Sequence, residues 1–433
     1  MRIGRVVSAR RLLVVTYYYP PQPGSGSNRW AAMVKYLRRI GHDVTVLTAA
    51  PPGHPAGESE GVIRTGNLNS SPLLRRVLLR RGDEEQVQGQ GMQEVPGGVM
   101  ETWQWKLVVP DPWLVSWGGY AWRAIRRELR RRPVDCLITS SPSESTHTLG
   151  LTVPRASTAW VADFRDGWGF EPLRPRFPTA LQRGLDRRLE ARVVRAADAV
   201  VGVTAPIAED FATRLGVPAE LVTNGFDPEL AGEHRAGGPD GDSGAFTLVH
   251  TGALSGPRGR DPRPLLRALR LLAERDRSLR GRLRLVVAGR SEEDERALVE
   301  SEGVGDLVHH VGYMPRPEAL KLQRGADALL LITSRDRCEA TGKLYEYMAS
   351  GRPVLALAEG NEAARIVAET NIGRLVAPDD VEGIAGALAD TLDGALQREY
   401  APRSVERYAS PALAEQMAAV IEKAIERCGR ARA

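Results

Sequence analysis

The feature that most constrains this chain is alternation. Short apolar runs are separated by stretches of helical periodicity along nearly its whole length. In the first half the expected strands are 11–18, 43–49, 134–140, 158–164, 198–204 and 219–223. The expected helices are 27–41, 116–132, 143–153, 179–197 and 205–216. In the second half strands are expected at 246–252, 283–289, 307–313, 328–333, 353–358 and the short run "RLVAP". Helices are expected at 261–276, 293–303, 316–325, 342–350, 361–370, 381–392 and 411–427. Strands that alternate with helices at this spacing form βαβ units, and these build a parallel sheet covered on both faces. A chain of 433 residues exceeds one such domain and suits two or three. The Gly/Pro/Asp-rich stretch that begins "NGFDPELAGEHRAGG" marks the junction. The expectation is α/β, with two Rossmann-like doubly wound domains. They comprise residues 1–224 and 246–410, joined by a linker at 225–245 and followed by a C-terminal segment at 411–433. Ligands of such sheets bind beyond the carboxyl ends of the strands, so the expected site is the cleft between the domains.

Other features exclude function classes. No apolar run reaches about 18 residues, so no membrane-spanning helix is expected. The N-terminus "MRIGRVVSARRLLVV" lacks the long apolar core of a signal peptide. Cys136, Cys338 and Cys428 lie far apart with no CxxC pair, which argues against a disulfide framework or zinc site and fits a reducing cytoplasm. Net charge is +5, too mild an excess for a nucleic-acid-binding tail. Much of it sits in "LLRRVLLRR" (73–81) and "WRAIRRELRRRP" (122–133). The second carries Trp122, Ile125 and Leu129 at helical spacing between arginines. It reads either as a solvated helix face or as a basic amphipathic surface for anionic lipid. The stretch 82–98, polar and Gly-rich without periodicity, reads as a long mobile loop.

After the first strand the chain reads "YPPQPGSGSNRW". Gly24 and Gly26 fit a dinucleotide fingerprint, but Arg29 stands where the third glycine belongs, and no acidic residue closes the second strand. A nicotinamide enzyme is a poor fit. Gly24, Ser25 and Gly26 still allow close backbone approach to a ligand at a helix N-terminus. A plain strand-to-helix turn is the alternative.

The second half is more specific. In "EATGKLYEYMASGRPVLAL" (339–357), Lys343 sits in the first helical turn, where a cation is disfavoured unless an anion is present. Glu346 follows three residues on, on the same face. A carboxylate there can accept from a ribose diol, while the lysine and free amides hold a diphosphate. A Lys–Glu surface pair is the plain reading. "HTGALSGPRGRDPRPLL" adds Arg258 and Arg260 on a second Gly-rich turn. "VVAGR" ends a strand at Gly289–Arg290, and "HHVGYMPRPE" ends another at Gly312 and Tyr313. Four strand ends thus offer glycine or basic residues on one side.

The order "HTGAL…GRDPRPLL", "LVVAGR", "VHHVGYMPRPEAL", "GADALLLIT", "GKLYEYMASGRPVLAL" resembles the donor half of retaining glycosyltransferases of family 4, with the GT-B fold. "LLVVTYYYPPQPGSGSNRW", "WVADFRDGW", "VVRAADAVVGVTAPIAEDF" and "VTNGFDP" resemble the acceptor half and hinge. The resemblance implies transfer of a sugar from a nucleotide-sugar donor to an acceptor saccharide, glycolipid or small molecule. It implies no metal and no cofactor beyond the co-substrate. Carried over, Glu346 binds the donor ribose, and Arg258 or Arg260 with Lys343 clamps the diphosphate. Gly312 and Tyr313 lie at the nucleobase. Gly252, Gly289, Arg290, Thr341, Gly342 and Leu344 complete the donor lining, and Gly24 to Gly26 face the reaction centre. Many members carry Glu-x7-Glu. Here the first of these positions is Cys338, and Glu339 beside it is the candidate substitute. Asp163, Arg165, Asp166 and His147 are the candidates for assisting the acceptor hydroxyl. Asp240–Asp242 reads as a linker turn, not a metal site. The last helix is expected to pack back on the first domain. The cysteine usage suits a cytoplasmic enzyme, and the basic segments tilt the expectation toward a peripheral place on the inner membrane face. Rival readings are a non-hydrolysing sugar-nucleotide epimerase, a degenerate nucleotide-sugar-binding protein, and a phosphorylase, for which the chain shows no sign of a pyridoxal lysine.

Overall fold

The computed structural model describes residues 8–22, 24–51, 53–68, 106–154, 156–172, 174, 176–230, 244–256, 259–289 and 293–430. Arg258, Arg290, the segments 73–81 and 82–98, and Asp240 and Asp242 lie outside the described residues. The chain forms two compact units. One comprises Met1–Asn224 with Ser410–Ala433, the other Gly225–Ala409.

The first unit is built on β1 (Arg11–Thr16), α1 (Ser25–Arg39), β2 (Asp43–Ala49), β3 (Gly57–Ser59), β4 (Val62–Thr65), α2 (Gly119–Arg131), β5 (Cys136–Ser140), α3 (Ser145–Gly150), β6 (Ala159–Phe164), α4 (Ala180–Ala196), β7 (Ala199–Gly202), α5 (Ala205–Leu215) and β8 (Glu220–Leu221). Its eight strands lie in the order β3-β4-β2-β1-β5-β6-β7-β8. All neighbours are parallel except β3 with β4. At the centre Val14 pairs with Val46 on one side and Ile138 on the other. Every residue of β5 and β6 is buried, as strands covered on both faces must be. β3 and β4 were not expected; they are short, and β3 is fully exposed and lacks an apolar run. A π-helical turn, Leu114–Gly118, precedes α2. Helix α4 starts at a capping box between Thr179 and Gln182.

The second unit continues with β9 (Phe246–Thr251), α6 (Arg263–Arg275), α7 (Leu279–Arg282), β10 (Leu283–Ala288), α8 (Glu293–Ser301), β11 (Val308–His310), α9 (Arg316–Gly325), β12 (Ala328–Ile332), α10 (Gly342–Ser350), β13 (Val354–Leu357), α11 (Glu362–Thr370), β14 (Gly373–Val376), α12 (Val381–Leu392) and α13 (Ala395–Glu399). The all-parallel order is β11-β10-β9-β12-β13-β14. Numbered from its own first strand this is 3-2-1-4-5-6, the order of dinucleotide-binding folds. The strand order reverses between β9 and β12, so the crevice for a ligand opens at their carboxyl ends. β11 stops at His310, earlier than expected, because Val311 is already exposed and Gly312 turns the chain at φ +78°.

Helix α14 (Ser410–Arg430) belongs to the first unit. Its Leu413, Met417, Val420 and Ile421 enter the core beside Leu12, Val14 and Ile138. Ion pairs Arg10–Glu422 and Lys423–Glu220, both at 2.8 Å, tie it at its surface.

Candidate functional site

In the second unit the strand ends converge as the topology requires. Gly252 follows β9 and Gly289 follows β10, and they touch backbone to backbone. A Cβ on Gly289 would lie 2.5 Å from the carbonyl carbon of Gly252. Above them lies Lys343, whose Nζ would be 2.2 Å from a Cβ on Gly252. Gly252 is therefore the floor on which the lysine rests, where a side chain would meet the lysine itself, and a side chain on Gly289 would meet the Gly252 backbone.

Lys343 belongs to the first turn of α10, among the backbone amides that a helix leaves without intrahelical partners. Burial and the nearby Arg260 guanidinium push its pKa down to about 7, against the pull of Glu339, Glu346 and Glu295. Each of those carboxylates is engaged elsewhere. Glu339 accepts from the Ser334 amide at 2.7 Å and from the Ser334 hydroxyl. Glu346 accepts from Arg316 Nε at 2.9 Å. Glu295 accepts from the amides of Leu254 and Ser255, both at 3.1 Å. Thr341 is the N-cap residue, yet its hydroxyl caps nothing and is buried without a partner among the described residues. The result is a notch with two cations, an orphan hydroxyl and helix-start amides, which suits a diphosphate.

Support lies directly beneath. His250 is buried, with Nδ1 2.9 Å from the Leu330 carbonyl and Nε2 3.0 Å from that of Ala253. Burial, with Lys343 adding to it, lowers its pKa to about 3. The Tyr347 hydroxyl accepts from the Thr251 amide at 3.0 Å, and burial raises its pKa to about 12. These groups stay neutral near pH 7 and fix the end of β9.

The other expected donor residues differ in their surroundings. Leu344 is not a donor-lining side chain: it is wholly in the core, and its amide donates to the Thr341 carbonyl at 3.1 Å. Helical spacing turns it inward while Lys343 and Glu346 face out. Glu339 uses one of its oxygens to close the loop after β12. Tyr313 is 64% exposed beyond the end of β11, and Gly342 opens α10.

In the first unit, Gly24 turns the chain at φ +129° into α1. Arg165, after β6, lies over the next residues. It donates to Ser25 Oγ at 2.9 Å, and a Cβ on Gly26 would lie 2.1 Å from its Nη1. The glycine loop and "ADFRDGW" thus lie against each other. Asp166 follows Arg165 and is partly exposed. Asp163 is different. It is fully buried, accepts from Arg29 at 2.9 Å and from Ser140 Oγ at 2.7 Å. Arg29 also donates to the carbonyls of Val222 and Thr223. The arginine that spoils the nucleotide fingerprint is therefore an internal tie between α1, β6 and the chain after β8. Only its misfit to the fingerprint hinted at this.

His147 corrects the expectation of an acceptor-facing base. It has no exposed surface, packs against Phe164 with ring centroids 4.1 Å apart and the planes tilted by 31°, and lies 2.9 Å from Thr139 Oγ1. Burial holds its pKa at about 3. Beside it lies a buried polar group that periodicity did not reveal: Asp111 accepts from the Ser145 amide at 2.7 Å, and Glu144 is pushed up to about 8 by burial. Among the described residues no cluster of His, Cys, Asp or Glu could hold a metal ion, and no helix is long and apolar enough to cross a membrane. On the outer face of α2, Trp122 and five arginines (Arg123, Arg126, Arg127, Arg130, Arg131) line a hollow of about 550 Å³.

Residues 245–394 match the family described as "Glycosyl transferases group 1", and residues 26–230 match "Glycosyltransferase Family 4". The phosphatidyl-myo-inositol mannosyltransferase of Mycolicibacterium smegmatis is 30% identical over 203 residues, 45% of this chain and 48% of that protein. The match thus spans about half the length of this curated relative. Sucrose-phosphate synthase from Thermosynechococcus elongatus superposes with a TM-score of 0.57 at 16% identity, over 98% of both chains. A putative UDP-N-acetylglucosamine 2-epimerase from Listeria monocytogenes superposes with a TM-score of 0.57 at 12% identity, over 97% of both. At such identities the likeness concerns the fold, which transferase and epimerase share.

Proposed function

The chain belongs to the family 4, group 1 glycosyltransferases of GT-B fold, and from that premise we propose that it moves a sugar from a nucleotide-sugar donor to an acceptor hydroxyl with retention of configuration. A UDP- or GDP-sugar is the favoured donor. The observation that carries this reading is the notch formed by Lys343 and Arg260 above the Gly252–Gly289 contact, with Glu346 one turn along α10.

The chemistry follows from charge. Breaking the glycosidic bond to the diphosphate loads negative charge on the leaving oxygen. Lys343, Arg260 and the amides at the start of α10 lower the energy of that charge, and such preorganised groups are each worth about 10²–10³ in rate in comparable enzymes. Glu346 accepts from the ribose hydroxyls. Arg165, on Gly26 and Ser25, and the neighbouring Asp166 orient the acceptor. Asp163 acts through Arg29 as a positioning residue, and His147 shapes the aromatic packing beneath the site.

Thermal unfolding with UDP, GDP, ADP, TDP and CMP tests the donor site. A nucleotide at 100 times its dissociation constant adds roughly 2.7 kcal/mol, a shift of several degrees. No shift with any of them removes the reading. Incubating the nucleotide sugar without acceptor separates the rival activity, because isomerised donor in place of transferred sugar identifies an epimerase.

The acceptor is a saccharide, glycolipid or small natural product, in a cytoplasmic step of envelope polysaccharide, glycolipid or natural-product synthesis. The arginines of α2 around Trp122 support work at an anionic membrane surface. Sedimentation with vesicles containing anionic lipid checks this: binding that survives replacing Arg123, Arg126 and Arg130 by Gln counts against α2 as the contact.

A further inference from the structure

We propose that Arg316 positions Glu346 for the donor ribose and thereby sets the enzyme's preference for ribonucleotides over 2′-deoxyribonucleotides. This rests on the donor-site reading above. Arg316 is the first residue of α9 and stands between Pro315 and Pro317. Each proline fixes its own φ, so the backbone that carries the guanidinium is held at the entry to the helix. The Arg316 Nε–Glu346 Oε1 contact of 2.9 Å links α9 to α10 through the side chains alone. It uses one nitrogen of the guanidinium and one lone pair of the carboxylate, which has about four acceptor sites. The rest of the carboxylate remains available to the two hydroxyls of a diol, and its side chain is 21% exposed.

The contact also prevents a competing pair. Glu346 lies three residues after Lys343 on the same helix face, the spacing at which oppositely charged side chains attract. Left untethered, Glu346 is free to swing onto Lys343. That pair would occupy the ribose acceptor and the phosphate cation together. Arg316 offers Glu346 a different partner, across the groove between α9 and α10, and leaves the lysine to the diphosphate.

The experiment measures dissociation constants of UDP, GDP and their 2′-deoxy counterparts for the wild type, Arg316→Met, Arg316→Lys and Glu346→Gln, with thermal unfolding as the check on folding. The wild type is expected to prefer the ribonucleotide by about tenfold, the worth of one hydrogen bond to a charged group. Arg316→Met is expected to reduce that preference below about threefold, with Arg316→Lys between the two. In a Glu346→Gln background, Arg316→Met is expected to change the ratio no further. Equal loss of both nucleotides' affinity in Arg316→Met, an undiminished preference, or a further change in the Glu346→Gln background would each overturn the proposal while leaving the donor site standing. Absence of any nucleotide binding to the wild type would remove the donor site and the proposal together.

Discussion

On the proposed donor site, Lys343 should make nucleotide binding dependent on pH in a calculable way. Its pKa is lowered from 10.5 to about 7, so the folded protein favours the neutral amine. A diphosphate in the notch favours the ammonium and raises the pKa again, so binding takes up a proton whenever the pH lies between the free and bound values. With a free value of about 7, half of the lysines are charged at pH 7, about one-tenth at pH 8 and about one-hundredth at pH 9. Affinity therefore falls about tenfold, or ~1.4 kcal/mol, for each pH unit above about 7.5. Below pH 7 it flattens until the terminal phosphate, with a pKa of about 6, begins to protonate. The other groups around the amine are Arg260, Glu339, Glu346, Glu295 and His250. His250, held at about 3 by burial, does not titrate between pH 7 and 9. Calorimetric titration of the diphosphate in buffers of different protonation enthalpy counts the protons directly. Affinity that is flat from pH 7 to 9, or a slope that persists in Lys343→Met, refutes the reasoning.

Further predictions concern buried and closely packed groups in both units. Asp163→Ala leaves Arg29 charged in the interior with only the Val222 and Thr223 carbonyls to accept from it, where both side chains of the pair are at most 3% exposed, and should cost about 3–5 kcal/mol in denaturant unfolding; a loss below 1 kcal/mol would show that the pair is not the tie described. Gly26→Ala puts a methyl group where Arg165 Nη1 lies. Because only the flexible end of the arginine must move, unfolding should change by less than about 1 kcal/mol while the transfer rate falls at least about tenfold; an unchanged rate would detach Arg165 from the acceptor site. His147 and His250, each held at about 3 inside and near 6.5 when unfolded, bind protons only on unfolding at pH between those values. Stability should therefore fall by about 1.4 kcal/mol per pH unit for each histidine as the pH drops below about 6, and His147→Gln should remove one share of that slope.

The sequence by itself determined the layered α/β plan and the places where the chain turns. Apolar runs such as "CLITS" and "ALLLI" lie between amphipathic segments, and such runs bury both faces only in a parallel sheet. It also singled out Lys343 and Glu346, because their spacing on one helix is a local property that needs no fold to be read. Tertiary structure alone decided the partners. That Arg29 meets Asp163, that Arg165 covers Gly26, and that Arg316 holds Glu346 depends on residues 134, 139 and 30 positions apart in the chain. The enclosure of His147 is likewise invisible in sequence, since a polar residue in a short helix shows no sign of the aromatic rings that close around it. Periodicity reports which face of an element is buried. Which charged group stands opposite is settled only when the strands are ordered and the helices packed upon them.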